Sequence, residues 1–275
     1  MPPYIIWHPF AYFCGCIPIN TVPMTVLTEK ELTLFTPYSI TTADTDMSAR
    51  LRLGAMVNLL IQSAIGSAEK LGFGFGDLSE QNLFWVLRNL TLEIYRPVRW
   101  SEELVVETWP KDIEGILYLR DFVVRDRKGL VVARATSGWL AIDRCSKRPK
   151  RFNPEQMQYF THLREKHALG YSPERLGEVA GSDEFFVTPT FFDIDLNRHV
   201  TSTRYIDWMV DTLPLDFLLE RNPVRLSINY LKETMLGNAI KLVRYTNKPN
   251  IFEFEGINET SGTSAFRGRI EYASL

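Results

Sequence analysis

Along this chain the spacing of apolar and polar positions changes twice in the same way, each time just after a pair of aspartates. In TTADTDMSARLRLGAMVNLLIQSA (41–64) a polar start gives way to Leu53, Met56, Val57, Leu60, Ile61 and Ala64, the spacing of one helix face. In PTFFDIDLNRHVTSTRYIDWMVDT (189–212), Asp193, Asp195, Asn197 and His199 stand on alternate positions, as along one face of an extended segment. Helical spacing then starts at once with Tyr205, Ile206, Met209, Val210 and Leu213. Aligned, Asp44 falls on Asp193, Asp46 on Asp195 and Leu51 on Val200.

The likeness continues downstream. LTLEIYRPVRWSEEL (90–104) lies over LSINYLKETMLGNAI (226–240) without a gap. Alternating strands follow in both places: LVVETWP, ILYLRDFVVRD and LVVARATSGWLAID, then AIKLVRYTN, IFEFEGIN and AFRGRIEYA. Arg127-Lys128-Gly129 and Glu259-Thr260-Ser261-Gly262 read as hairpin turns. The chain is therefore a duplication, each unit being strand, helix and several antiparallel strands. The first helix is apolar enough to be wrapped by a sheet. The predicted class is α+β, two antiparallel sheets each curled around one helix.

The expected organisation is an N-terminal extension (1–30), a first unit (31–152), a linker (153–184) and a second unit (185–275). In the linker, NPEQMQYFTHLREKHAL predicts a short helix and SPERLGEVAGSDE a polar connection. The first stretch, MPPYIIWHPFAYFCGCIPINTVP, is apolar but broken by prolines, with no basic lead and no small-residue cleavage site. It is too short and interrupted to span a bilayer. Met24 is the expected functional start, with residues 1–23 dispensable.

Composition narrows the function classes. The chain has 275 residues, a formal net charge of −2, 45% hydrophobic and 23% charged residues, which predicts a soluble cytoplasmic protein with no nucleic-acid binding and no membrane insertion. Its cysteines, Cys14, Cys16 and Cys145, make no disulfide framework. Cys14-Gly-Cys16 has no second pair to complete a metal site. Gly72, Gly74 and Gly76 follow a helix and precede no Lys-Ser/Thr, so they read as a loop and not a phosphate cradle. No cofactor or metal is implied.

Several separate motifs carry a resemblance, from about Thr36 to the C-terminus. They are WVLRNLTLEIYRPVRWSEELVVETWP, YLRDFVVRDRKGLVVARATSGWLAIDRCSKRPKRF, DIDLNRHVTSTRYIDW and INYLKETMLGN. In this order they resemble the acyl-acyl-carrier-protein thioesterases of plants and bacteria. The resemblance implies a tandem (double) hotdog fold and a hydrolase of fatty acid biosynthesis that cleaves the thioester of acyl carrier protein. It also implies a site of Asp195, Asn197, His199 and Glu233. Many plant members have a cysteine directly after that glutamate, whereas this chain has Thr234, which favours direct attack by water.

Thioester hydrolysis needs a base, donors for the developing oxyanion and an apolar slot. Glu233 is the expected base, a carboxylate partly buried beside the slot. Asn197 and His199 supply donors, and free N–H groups near Val200 to Ser202 add to them. In the first unit Asp46 is kept, but Ser48 replaces Asn197, Arg50 replaces His199 and Pro97 stands at Glu233. One unit thus carries the chemistry and the other the acyl pocket. Asp195, kept in both, is equally readable as structural; Asp193 reads as structural.

Trp85, Trp139 and Trp208 are expected in the core or pocket wall, Trp85 as a substrate contact. Arg144, Lys147, Arg148, Lys150 and Arg151 form one dense basic run, either a solvated turn or a docking patch for an acidic carrier protein or a phosphopantetheine phosphate. Competing readings are an acyl-CoA thioesterase, a hotdog dehydratase, or a non-catalytic acyl-binding or regulatory protein. The duplication allows a monomer or a homodimer.

Overall fold

The computed structural model describes residues 28–273. The Cys14-Gly-Cys16 pair, Met24 and residues 1–23 lie outside the described residues. The first half runs α1 (Glu29–Leu32), β1 (Leu34–Ser39), α2 (Leu53–Lys70), α3 (Phe75–Glu80), β2 (Leu83–Ile94), β3 (Glu103–Glu114), β4 (Leu117–Asp126) and β5 (Val131–Asp143). After α4 (Pro154–Thr161), the second half runs β6 (Asp183–Val187), α5 (Ser202–Asp211), α6 (Leu215–Glu220), β7 (Pro223–Tyr230), β8 (Ile240–Lys248), β9 (Ile251–Asn258) and β10 (Thr263–Tyr272).

The two expected antiparallel sheets are joined edge to edge by β2 and β7 into one ten-stranded sheet, in the order β1-β3-β4-β5-β2-β7-β10-β9-β8-β6. Read from either edge, corresponding strands of the two halves appear in the same order. The central pairing repeats that symmetry, because Asn89 faces Asn229 and Glu93 faces Arg225, with Thr91 opposite Ser227 between them. In the gap-free alignment of 90–104 with 226–240, Thr91 is itself the counterpart of Ser227. A pseudo-twofold axis passes between them.

Strand alternation explains both faces of the seam. On one face Leu90, Leu92, Leu226 and Ile228 are buried with Val57 and Leu60 of α2 and Ile206 and Met209 of α5, a core shared by both halves. Each such side chain stabilises the fold by roughly 1.5–3 kcal/mol. On the other face Asn89, Thr91, Ser227 and Asn229 are buried although polar. They are covered by the connecting segment, which crosses the sheet as a strap.

The strap is hydrogen-bonded to the sheet at several points along its length, as burial of polar groups demands. Trp109 Nε1 donates to Lys166 O at 3.2 Å, and Lys111 Nζ donates to Leu169 O at 2.7 Å. In the other direction the N–H groups of Ala168, Glu174, Leu176 and Val179 donate to Asp121, Thr91, Asn229 and Glu255. Asp121 is fully buried, its carboxylate 3.1 Å from Lys111 Nζ. No helix among the described residues is long and apolar enough to cross a membrane.

Candidate active site

The two aspartate loops have one backbone design. Ser48 and Arg50 N–H groups donate to Asp46 Oδ1 at 2.8 and 2.9 Å; Asn197 and His199 N–H groups donate to Asp195 Oδ1 at 2.8 and 3.2 Å. Ala49 and Arg198 take the left-handed conformation at φ 57° and 67°. The residue after each loop then bonds the matching segment, Leu51 N–H to Val98 O and Val200 N–H to Thr234 O, both at 2.8 Å. Asp195 thus spends one oxygen on shaping the turn and does not cap α5, whose first turn has no side-chain cap. Asp193 is buried and accepts from Thr190 N–H and from Arg204 Nε, the latter at 2.5 Å.

What the second loop presents is different from the first. His199 bridges to Met235 in the backbone, which carries Glu233 to the imidazole: Nε2 lies 3.1 Å from Glu233 Oε2. Two segments thirty-four positions apart are brought into hydrogen-bond range by that one bridge. The Asn197 side chain is exposed and makes no hydrogen bond to the described residues. Glu233 was expected to be partly buried; its side chain is 51% exposed, because the segment stands proud of the end of β7. Thr234 points the other way and is fully buried. Behind the pair, burial pushes the Tyr205 phenol up to about 12, and the charges of Asp195 and Glu233 push the same way. Tyr230, also raised by burial, donates to Ser202 O at 3.0 Å.

In the first loop the corresponding space is sealed. Arg50 is ion-paired to Asp46 at 2.9 Å and donates to Leu218 O and Arg221 O, at the C-terminal end of α6, at 2.7 and 3.0 Å. The arginine closes this half with the free carbonyls of a helix end.

An apolar cavity of about 60 Å³ lies in the first half, lined by Ala64, Ala68, Trp85, Trp139 and Phe160 among others. Its wall is the part of α2 that has no counterpart: α2 has 18 residues against 10 in α5. Trp85 is locked by its indole N–H, which donates to Phe73 O at 2.9 Å. Because β7 ends at Tyr230, residues Leu83 to Leu87 of β2 overhang it on the side where the chain goes on to Glu233. Cavity and dyad therefore share one end of the seam.

The basic run is a turn. Asp143 accepts from Cys145 and Ser146 N–H groups, and Lys147 is left-handed at φ 56°. Arg144 is half-buried over Phe75 and Phe84 and donates to Leu83 O, whereas Lys147 and Arg148 are exposed. Lys150 and Arg151 are exposed as well.

One residue at the cavity escaped sequence reasoning. Arg120 was read only as part of a motif, yet it sits between Tyr118 and Phe122 on the inward row of β4 and lines the cavity. An arginine on the core-facing register of an apolar strand was the available signal.

The model of the acyl-ACP thioesterase N-terminal domain matches residues 31–160, and that of the C-terminal domain matches residues 179–274. The chain belongs to the acyl-ACP thioesterase family. An oleoyl-acyl carrier protein thioesterase of Arabidopsis thaliana is 22% identical over 267 residues, covering 91% of this chain and 72% of the relative. Among solved structures, an acyl-ACP thioesterase from Bacteroides thetaiotaomicron aligns with TM-score 0.83 at 24% identity, covering 90% of this chain and 100% of the other. The 12:0-ACP thioesterase from Umbellularia californica aligns with TM-score 0.76 at 19% identity, covering 88% and 97%. The acyl-ACP thioesterase fold is thus established here as a double hotdog. Among the described residues no cluster of His, Cys, Asp and Glu has the arrangement to hold a metal ion.

Proposed function

We infer that Glu233 and His199 form the hydrolytic centre of this acyl-ACP thioesterase, which releases a free fatty acid from acyl carrier protein. The observation that carries the assignment is the 3.1 Å contact between His199 Nε2 and Glu233 Oε2 in one half, against a sealed arginine and Pro97 in the other. His199 donates to one carboxylate oxygen and holds it in place. The second oxygen accepts the proton of a water whose oxygen attacks the thioester carbon. The tetrahedral oxyanion takes hydrogen bonds from the Asn197 amide and from the Ser202 and Thr203 N–H groups, which donate to no other acceptor among the described residues. As the C–S bond breaks, the proton on Glu233 passes to the phosphopantetheine thiolate. Asp195 acts through the backbone of its loop, as a positioning residue. The buried Thr234 hydroxyl supports attack by water and not by a side-chain nucleophile.

The single chain holds both halves of the shared core and is taken as the catalytic unit, a monomer. Lys147 and Arg148, exposed on a turn beside the start of β2, are the docking contacts for the acidic carrier protein, with Arg144 fixed beneath them. Trp85 contacts the acyl chain.

The test is hydrolysis of an acyl-carrier series by wild type, His199→Ala and Glu233→Gln. Both variants should lose about 10²–10⁴ in kcat with an unchanged melting temperature. Near-full kcat in Glu233→Gln would remove the base assignment. The same acyl group on carrier protein and on CoA, compared by kcat/KM, separates the two carriers. Charge reversal at Lys147 and Arg148 should raise KM for the carrier substrate alone.

A further inference from the structure

Arg88 stands where β2 leaves the seam. Pairing with β7 stops at Asn89 and Asn229, and β2 carries one extra residue between Leu87, opposite Trp139, and Asn89, opposite Gly138. Strict alternation would turn Arg88 into the core with Leu90 and Leu92; the bulge releases it. Its Nη1 donates to the carbonyl of Tyr230, the last residue of β7, at 2.5 Å. Burial, then the charges of Arg175 on the strap and Arg267 on β10, hold its pKa below the ordinary value. Arg267 itself donates to the strap carbonyl of Leu176, so the Arg88 head lies on the strap face.

Of these three cations only Arg88 has no carboxylate within ion-pair range among the described residues. Arg267 holds Glu255 at 2.9 Å and Glu178 at 3.4 Å, and Arg175 reaches Glu114 at 3.5 Å. The Arg88 Nε and Nη2 have no acceptor among the described residues, and both reach solvent, unlike the buried Arg225 Nε. Those two nitrogens are the side-on fork of a guanidinium, the edge that takes two oxygens of one anion. Its place selects the anion. Glu233 is three residues beyond Tyr230, so roughly 10 Å of chain separates the Arg88 anchor from the base. The arm of phosphopantetheine runs about thirteen bonds from phosphorus to sulfur, the reach of four to five extended residues, or roughly 15 Å. A thioester at Glu233 therefore leaves the phosphate within range of Arg88. Lys232, exposed in the intervening segment and without an acceptor among the described residues, adds positive charge beside it. The basic turn lies farther off, since Arg144 binds Leu83 O, roughly 17 Å back along β2.

We propose that Arg88 binds the phosphate of the phosphopantetheine arm and so fixes the thioester at Glu233, leaving the basic turn to the carrier's protein surface. The proposal rests on the hydrolase reading above for its substrate, but the phosphate contact is tested separately by binding. Sites built around a hydrogen bond discriminate strongly against analogues that lack it.

The experiment presents one acyl group as the thioester of 4′-phosphopantetheine, of pantetheine, which lacks the phosphate, and of carrier protein, to wild type, Arg88→Gln and Arg88→Lys. Glutamine keeps a donor for Tyr230 O and removes the charge. In parallel, calorimetry measures binding of free 4′-phosphopantetheine and free pantetheine. Wild type should favour the phosphorylated arm by at least about tenfold in kcat/KM, through KM, and in Kd. Arg88→Gln should lose that preference, with the loss confined to the phosphate-bearing substrates, and Arg88→Lys should keep part of it. A wild type indifferent to the phosphate overturns the proposal, whether or not either variant folds. An equal loss with and without phosphate at unchanged melting temperature marks a structural arginine and also overturns it. A loss seen with carrier protein alone overturns it too, because it puts Arg88 against the protein surface. If wild type cleaves none of the three, the hydrolase reading fails, while the calorimetric ratio still decides the phosphate contact.

Discussion

Thr91 and Ser227 face each other at the centre of the sheet with hydroxyl oxygens 3.3 Å apart, and each is the other's counterpart in the duplication. The two halves are related at this point like the subunits of a dimer, but a single strap crosses it. Glu174 fastens that crossing. Its N–H donates to Thr91, its carbonyl accepts from Asn229 Nδ2, and its carboxylate takes Ser227 and Arg269. Glu174→Ala should therefore cost about 2–3 kcal/mol, since Ser227 loses a carboxylate acceptor at a covered seam and Arg269 keeps only Glu253. Urea denaturation checks this; a loss under about 0.5 kcal/mol would mean the strap is held elsewhere.

Gly54 and Thr203 meet on the same axis, where α2 and α5 touch. A Cβ on Gly54 would lie 2.4 Å from Asp207 Oδ1 and 3.2 Å from Thr203 O. Gly→Ala in a helix ordinarily gains up to about 1 kcal/mol. Here crowding wins, because Asp207 is held by Arg204 and Arg52 and the carbonyl is backbone. Gly54→Ala should lower stability by about 1–2 kcal/mol, read as a fall in the denaturation midpoint.

Arg50 separates packing from chemistry. Arg50→Ala leaves Leu218 O and Arg221 O without their donor and Asp46 without its cation. A cost of about 2–4 kcal/mol is expected with kcat unchanged. A large fall in kcat at unchanged stability would move the chemistry to the first loop.

Asp193 gives the stability an acid limb. Burial raises its pKa, but the Thr190 N–H and hydroxyl and the Arg204 guanidinium outweigh that and hold it below the ordinary carboxylate range. A group whose folded pKa is depressed contributes stability above its unfolded pKa, about 3.9, and loses it as pH falls further. Wild type should melt above Asp193→Asn at pH 7, and the difference should shrink below about pH 4. A gap independent of pH would show that the ionisation is not linked to folding.

The duplication was legible because its signals are local: paired aspartates, a switch from two-residue to helical spacing, and a gap-free strand alignment. His199 and Glu233 were legible as separate motifs, and only the backbone bridge from His199 to Met235 shows how they meet. The continuous sheet was not legible. Asn89, Thr91, Ser227 and Asn229 alternate with apolar neighbours as solvent-facing residues do, and nothing local reveals that a strap covers them. Glu233 was expected to be tucked in beside the slot, but that depended on the segment's rise above the end of β7, a tertiary feature. Arg120 was hidden by its company, since the alternation that buries it is the one that makes Asp121 look like its natural partner.

The strap also has an evolutionary consequence. Two identical chains paired across this axis would carry two reactive loops and two long helices, or neither. Covalent continuity lifts that obligation, so each loop can drift on its own. One copy has become masonry around an arginine, and the other has kept its histidine open to water.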